Sequence, residues 1–318
     1  MSLAAVSPKD EALPEWLPDN VRDLLHADDV FMIRKVGLAA GGLLGGDYLT
    51  MFIWIMLTVL NLRHLSRAED GVTYASYHDY PPDEQRRPVS MYAAAKAMRL
   101  PYETLRRHVV DLERRGMCVR IPGKGVVVPT AVIQRSESAS SAQQVVATVL
   151  RFIADLKRQG FDFSALPRRA AVADVATIGR AIIRLDAEYT CDVVEMLYLL
   201  HHQFQNEGVL YLSIAIENTR HALANGDGPA GGDVSDEMRR PVPALSIANA
   251  MHIPYETVRR ILNGMTKSGK LRRIGKQGFI VPAEARRKLE SDDYLRLRHG
   301  RMVRFLADLA NIGVEMPR

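Results

Sequence analysis

Two stretches carry the side chains best suited to chemistry with another molecule. One is Leu100-Pro101-Tyr102-Glu103-Thr104-Leu105-Arg106-Arg107, and the other is Ile253-Pro254-Tyr255-Glu256-Thr257-Val258-Arg259-Arg260. Arginine donates two hydrogen bonds to guanine O6 and N7, and glutamate accepts one from cytosine N4. Glu103, Arg107, Glu256 and Arg260 have that chemistry, while Thr104, Arg106, Thr257 and Arg259 suit a phosphate or a thymine methyl. A helix that offers its N-terminal residues in this way fits the major groove of duplex DNA. Simpler roles stand beside these. Glu103 is also a carboxylate in place to stabilise a helix N-terminus, and Arg107 and Arg260 are also charges that water can solvate.

The second stretch follows the first by 153 positions, and the likeness extends around it. Asp83-Glu84-x-Arg86-Arg87-Pro88-Val89 returns as Asp236-Glu237-x-Arg239-Arg240-Pro241-Val242. Gly116, Arg120, Ile121, Gly125, Val128 and Pro129 return as Gly269, Arg273, Ile274, Gly278, Val281 and Pro282. Residues 83–129 hold 21 identities at this one offset. Coincidence does not do this, so the chain contains an internal duplication. Ala12-Leu13-Pro14 against Ala165-Leu166-Pro167, and Arg151-Phe152 against Arg304-Phe305, extend the repeat to the whole chain. The expected organisation is a first repeat over 1–163 and a second over 164–318. Asn61, Arg63 and His64 recur as Asn218, Arg220 and His221 at a slightly longer spacing. They either bound an effector pocket or end a helix that bonds to the neighbouring domain.

Charge marks the same segments. Residues 86–124 hold ten Lys/Arg against three carboxylates, and residues 239–277 hold nine against one. The whole chain is only +5, so the remainder is net −10. Two basic blocks in an acidic frame are the electrostatic footprint of a nucleic-acid binder.

The positioning elements follow from local signals. Asn20 to Leu44 reads as a helix, broken by glycines at 41, 42, 45 and 46. Asp47 reads as the N-cap of an apolar helix from Tyr48 to about His64. Val89 to Met98 is a small helix. Pro101 is placed at the first position of the next, where its missing N–H costs nothing. That helix turns Leu105, Val109 and Leu112 inward and stops at Gly116. Val119–Ile121 and Val126–Pro129 form a hairpin around Pro122-Gly123-Lys124-Gly125. Ser136 to Ser141 reads as a flexible loop, and Gln143 to Gln159 as an amphipathic helix. The second repeat follows the same plan. Its helices lie around 170–205 and 207–223, with a Gly-rich loop over 225–232 and a closing helix at about 291–311.

This order of helix, turn, basic helix and hairpin resembles the winged helix-turn-helix of bacterial transcription regulators. It is most similar to the Crp, DeoR and GntR types, whose recognition helix carries a Ser-x-Glu-Thr-Val-x-Arg core. The resemblance covers about 88–129 and 241–282. It implies base contacts by Tyr102, Glu103 and Arg107, and by Tyr255, Glu256 and Arg260. Here Pro101 and Pro254 stand in place of the usual capping Ser, and Tyr in place of a usual Arg. Arg120, Lys124, Arg273 and Lys276 lie on the hairpin wings, where contacts to the DNA backbone or minor groove are usual. The implied fold is mainly α: two homologous halves, each a helical bundle with a winged helix-turn-helix of three helices and a β-hairpin wing.

Other classes have less support. Residues 36–60 are long enough to span a bilayer. Four glycines and Asp47 interrupt them, however, and the matching helix carries Gln203, Gln205, Asn206, Glu207 and Glu217, which a bilayer core does not welcome. A buried or dimer-forming helix is expected, with no membrane partner. No basic and apolar leader opens the chain. Cys118 and Cys191 form no CxxC pair and read as thiols of a reducing cytoplasm. His201-His202 with Cys191 and Glu195 do not have metal-ligand spacing. The Gly-rich loop lacks a phosphate-binding lysine. No catalytic set stands out, so neither an enzyme nor a cofactor is expected. The expectation is a cytoplasmic, nucleoid-associated transcriptional regulator whose partner is double-stranded DNA. A homodimer and a small-molecule effector remain open. The alternatives are a tandem winged-helix interaction module of a chromosome-organising complex and a plasmid-type replication initiator.

Overall fold

A computed structural model of the chain describes residues 17–41, 48–65, 73–201, 205–224, 234–251 and 253–318. Asp47 and the Gly-rich loop lie outside them. The described residues are mainly helical, with twelve α-helices and two short antiparallel hairpins. No helix among them is long and apolar enough to cross a membrane.

The first repeat contributes α1 (Val21–Gly41), α2 (Tyr48–Leu62), α3 (Met91–Ala97), α4 (Tyr102–Arg114), β1 (Val119–Ile121), β2 (Gly125–Val127), α5 (Thr130–Ile133) and α6 (Ser136–Arg158). The second contributes α7 (Gly179–His201), α8 (Gln205–Ala224), α9 (Ala244–Met251), α10 (Tyr255–Lys267), β3 (Arg272–Ile274), β4 (Gly278–Ile280), α11 (Ala283–Leu289) and α12 (Asp292–Asn311). The helices α4 and α10 match residue for residue at the repeat offset, as do the hairpin registers Val119↔Val127 and Arg272↔Ile280.

Local chemistry explains these boundaries. The Ser90 hydroxyl accepts from the Ala93 N–H at 3.1 Å and caps α3. Leu105, Val109 and Leu112 are fully buried on one face of α4, as Val258, Leu262 and Met265 are on α10. Gly116 adopts φ +64° after α4, and the Met117 N–H closes the end on Leu112 O at 2.9 Å. Pro101 sits one position earlier than its sequence suggests. Its backbone is extended and its carbonyl accepts from the Leu105 N–H, so it is the N-cap. Gly125 and Gly278 are obligatory: a Cβ there would lie 2.2 Å from Val89 O and 2.3 Å from Val242 C.

Three sequence expectations are corrected. Residues 136–141 are not a loop but the first turns of α6. Serine costs a helix only a few tenths of a kcal/mol per residue, which continuity with the amphipathic part overcomes. The helix expected from about 170 begins at Gly179. Before it the chain is drawn into other bonds, including Val172 N–H to Gly313 O at 3.0 Å. Short helices α5 and α11 follow the hairpins where none was expected.

The chain forms two compact units that cut across the repeats. One comprises residues 1–34, 154–162 and 196–304; the other comprises 35–153, 163–195 and 305–318. Each unit therefore combines the basic segment of one repeat with the leading helix and closing residues of the other. In the first unit, Arg298 is fully buried against Asp28 at 2.7 Å and also pairs with Asp29. Arg286 joins Asp29 at 3.3 Å and Glu290 at 3.0 Å, and Arg22 reaches Glu290 at 3.3 Å. In the second unit, the repeat positions of Asp28, Asp29, Arg286 and Arg298 are Ala181, Ile182, Ile133 and Val145, all apolar.

His26 lies beside the charged network. Its imidazole is pushed down to about 4, chiefly by burial; Asp29 opposes the shift, and Arg286 and Arg298 add to it. The unfolded chain accepts a proton near pH 6.5 that the folded chain refuses until about pH 4. Stability from His26 is therefore complete above pH 6.5 and drains away as pH falls through that window. The expected loss is about 1–3 kcal/mol by pH 4, reduced by the partial solvent access of the ring. Urea midpoints of wild type and His26→Phe between about pH 7.5 and 4.5 check this, with the wild type losing more. Equal losses would refute it.

Candidate nucleic-acid interface

A duplicated buried asparagine holds each hairpin in place. Asn61, at the end of α2, donates to Arg87 O (2.8 Å) and Val126 O (3.0 Å), and its Oδ1 accepts from the Val128 N–H (2.9 Å). Asn218, at the corresponding place on α8, donates to Arg240 O (2.6 Å) and Phe279 O (3.2 Å) and accepts from the Val281 N–H (2.9 Å). Both side chains are fully buried, so three bonds replace the water each would lose. Asn61 and Asn218 thus tie their helices to the hairpins; Asn61 lies in the last turn of α2, whereas α8 continues past Asn218 to Ala224.

Positioned in this way, α4 and α10 expose matching side chains. Tyr102 and Tyr255 remain 49% and 44% exposed. At the start of the preceding helices, Tyr92 and Leu245 are 73% and 57% exposed, also at matching positions. Large side chains with apolar surface thus stand in water at two pairs of repeat-related positions. Sequence reasoning missed Tyr92 and Leu245, because period alone does not tell an outward Tyr or Leu from a core one.

The charged residues are already arranged in pairs. Glu103 takes Arg106 Nε at 2.9 Å and Nη2 at 2.6 Å, and Glu256 takes Arg259 at 2.9 and 2.7 Å. The hydrogen bond from Arg106 holds the Glu103 carboxyl below its usual range, with Arg107 adding a smaller pull. The i,i+3 spacing is the signal that reveals such pairs in a sequence. Arg107 and Arg260 are exposed and hold no hydrogen bond or ion pair among the described residues. Thr104 and Thr257 are half-buried. On the hairpins, Glu113 binds Arg120 through Nε at 2.6 Å and Nη2 at 2.5 Å. Among the described residues, the Arg273 side chain bonds only to the carbonyl of Gly275, at 3.2 Å. Lys124 and Lys276 are exposed at the turns.

No family model, no curated protein and no solved structure matches the chain. The internal repeat therefore supplies the comparison. The two copies place Tyr, a Glu–Arg pair, an Arg without an ion pair among the described residues and a cation on the hairpin in the same order.

Other chemistry is sparse. Among the described residues, no group of three His, Cys, Asp or Glu is placed to hold a metal ion. Burial pushes the Cys118 and Cys191 thiols up to about 12, which keeps them protonated and unreactive at neutral pH. An open cavity of about 470 Å³ beside the second hairpin is lined by His221, Asp236, Arg239, Arg240, Arg272 and Gln277. Arg272 and Asp236 pair there at 2.7 Å.

Proposed function

We propose that the chain is a sequence-specific double-stranded DNA-binding transcriptional regulator. It carries two winged helix-turn-helix readers, α3–α4 with β1–β2 and α9–α10 with β3–β4, one in each homologous half. The observation that supports this best is the exposed, hydrogen-bond-free arginine at the same place on both helices, Arg107 and Arg260. A guanidinium held on a helix with no internal hydrogen bond has none to break when it forks onto guanine O6 and N7. The Glu–Arg pair one turn earlier presents an acceptor and a donor together. The wing lysines add phosphate contacts, which position the protein without reading sequence.

The test is binding of the intact chain to duplex DNA across a salt series. About four to six neutralised phosphates give a log–log slope of about −4 to −5, or roughly a 10²–10³-fold loss between about 50 and 200 mM salt. Folded protein that shows no duplex binding at about 50 mM salt would end this reading. The exposed Tyr92, Leu245, Tyr102 and Tyr255 favour the second reading, a tandem winged-helix module that docks on protein. That module would bind its partner with little dependence on salt.

A further inference from the structure

The two surfaces look alike in sequence but differ in how their cations are engaged. In the first repeat, Asp111 pairs with Arg114 at 2.6 Å and with Arg115 at 2.8 Å. Glu113 grips Arg120 with both donors and also accepts from the Arg120 backbone N–H at 3.3 Å. The bond from Arg120 lowers the Glu113 carboxyl, so that carboxylate stays charged through the neutral range. With the Glu103–Arg106 pair, four of the guanidinium groups on α4 and β1 therefore already have a carboxylate partner. On α4 and the hairpin, Arg107 and Lys124 hold no ion pair among the described residues.

The second repeat lacks both carboxylates. Gly264 stands at the position of Asp111 and Thr266 at that of Glu113. The Thr266 hydroxyl turns back to Leu262 O at 2.8 Å, as a helical threonine does when no partner faces it. Arg260, Lys267, Arg273 and Lys276 hold no ion pair among the described residues. Arg272 is engaged, by Asp236 at 2.7 Å.

We infer that the two readers are unequal by construction: the α10 surface anchors duplex DNA, and Asp111 and Glu113 restrain the α4 surface so that it adds selectivity rather than grip. This rests on the reading of both surfaces as DNA readers. A phosphate approaching Arg120 must compete with a carboxylate already 2.5 Å away and is itself repelled by it. The first reader thus gains little from non-specific phosphate contact. It binds usefully only where Tyr102, the Glu103–Arg106 pair and Arg107 meet matching base edges. The second reader also has carboxylate partners, Glu256 on Arg259, Glu207 on Lys270 and Asp236 on Arg272, but none on Arg260, Lys267, Arg273 or Lys276, and these four hold any duplex. Asp111 and Glu113 are positioning residues: they act through arginines and need not touch DNA.

The test uses the intact chain and a mixed-sequence duplex, with anisotropy read over a salt series. Glu113→Gln releases Arg120. It should tighten binding roughly three- to tenfold at about 50 mM salt and steepen the slope by about one. Thr266→Glu installs the restraint in the second repeat. It should weaken binding roughly tenfold and flatten the slope by about one. Arg260→Ala should weaken binding to this duplex about tenfold more than Arg107→Ala. A merely structural role for Glu113 would move the melting temperature without steepening the salt slope. The inference is overturned if Glu113→Gln and Thr266→Glu leave slope and affinity unchanged, or if the two arginine variants cost the same. Wild type that does not bind duplex at low salt overturns the DNA reading itself, and this inference with it.

Discussion

Removing the first 34 residues is expected to unfold the basic segment of the second repeat and to spare that of the first. The leading half of α1 belongs to the unit that contains α8 to α11. It buries Leu24, Leu25, Phe31 and Met32 almost completely. At about 1.5–3 kcal/mol for each large apolar side chain, their loss amounts to roughly 6–12 kcal/mol. That is comparable to the full stability of an ordinary domain. The deletion also takes away Asp28 and Asp29, leaving Arg286 and Arg298 without those counter-charges. Hydrogen exchange on the truncated chain measures the result. Amides of α10 should lose protection to near the unfolded rate, while those of α4 keep it. Protection retained in both helices would show that the interleaving carries little of the stability. Protection lost in α4 alone would mean that each repeat folds on its own leading helix.

The second large effect centres on Arg298. Its guanidinium is fully buried and paired with Asp28 and Asp29, which are themselves fully buried. Arg298→Leu leaves Asp28 facing an apolar side chain and Asp29 with Arg286 alone, which should cost about 3–5 kcal/mol of unfolding free energy. Leucine supports packing well enough; the cost comes from the uncompensated charge. Adding Asp28→Asn and Asp29→Asn to Arg298→Leu should therefore recover most of the loss, because a neutral cluster of similar volume is often no worse than a buried ion pair. Urea unfolding of wild type, the single variant and the triple variant reads this directly. A single Arg298→Leu chain within about 1 kcal/mol of wild type would show that the carboxylates find water or other partners.

The same cluster helps match each leading helix to its unit. Asp28 and Asp29 find arginine in the first unit, whereas the matching positions Ile133 and Val145 in the other unit are apolar. Placed there, the two aspartates would lack partners. Ala181 and Ile182 placed against Arg286 and Arg298 would strand two cations instead. Buried charge thus discriminates between two helices that the duplication made alike.

The duplication and the segment from Pro88 to Pro129, with its copy, were legible in the sequence because their signals are local. An inward apolar face at 3.6-residue spacing, glycines where φ is positive, and a proline at the head of a helix each act over a few residues. Such signals placed α3, α4, β1 and β2 within a residue or two. The asparagine anchors were legible as a recurrence, but their bonds to the hairpins were not. The i,i+3 carboxylate partners on α4 were also present in the sequence and needed only the helical spacing to be applied. What only the tertiary structure decided lies at long range. Periodicity shows that α1 has an apolar face but not which surface covers it. That choice depends on buried charge and shape hundreds of residues away, where Asp28 meets Arg298 rather than a residue of its own repeat. Likewise, the sequence has Thr266 where Glu113 stands, but only the fold shows that Glu113 reaches Arg120 on the strand after its helix, while Arg273 holds a carbonyl among the described residues. The net charges of the two basic blocks are nearly equal and carry no trace of that difference.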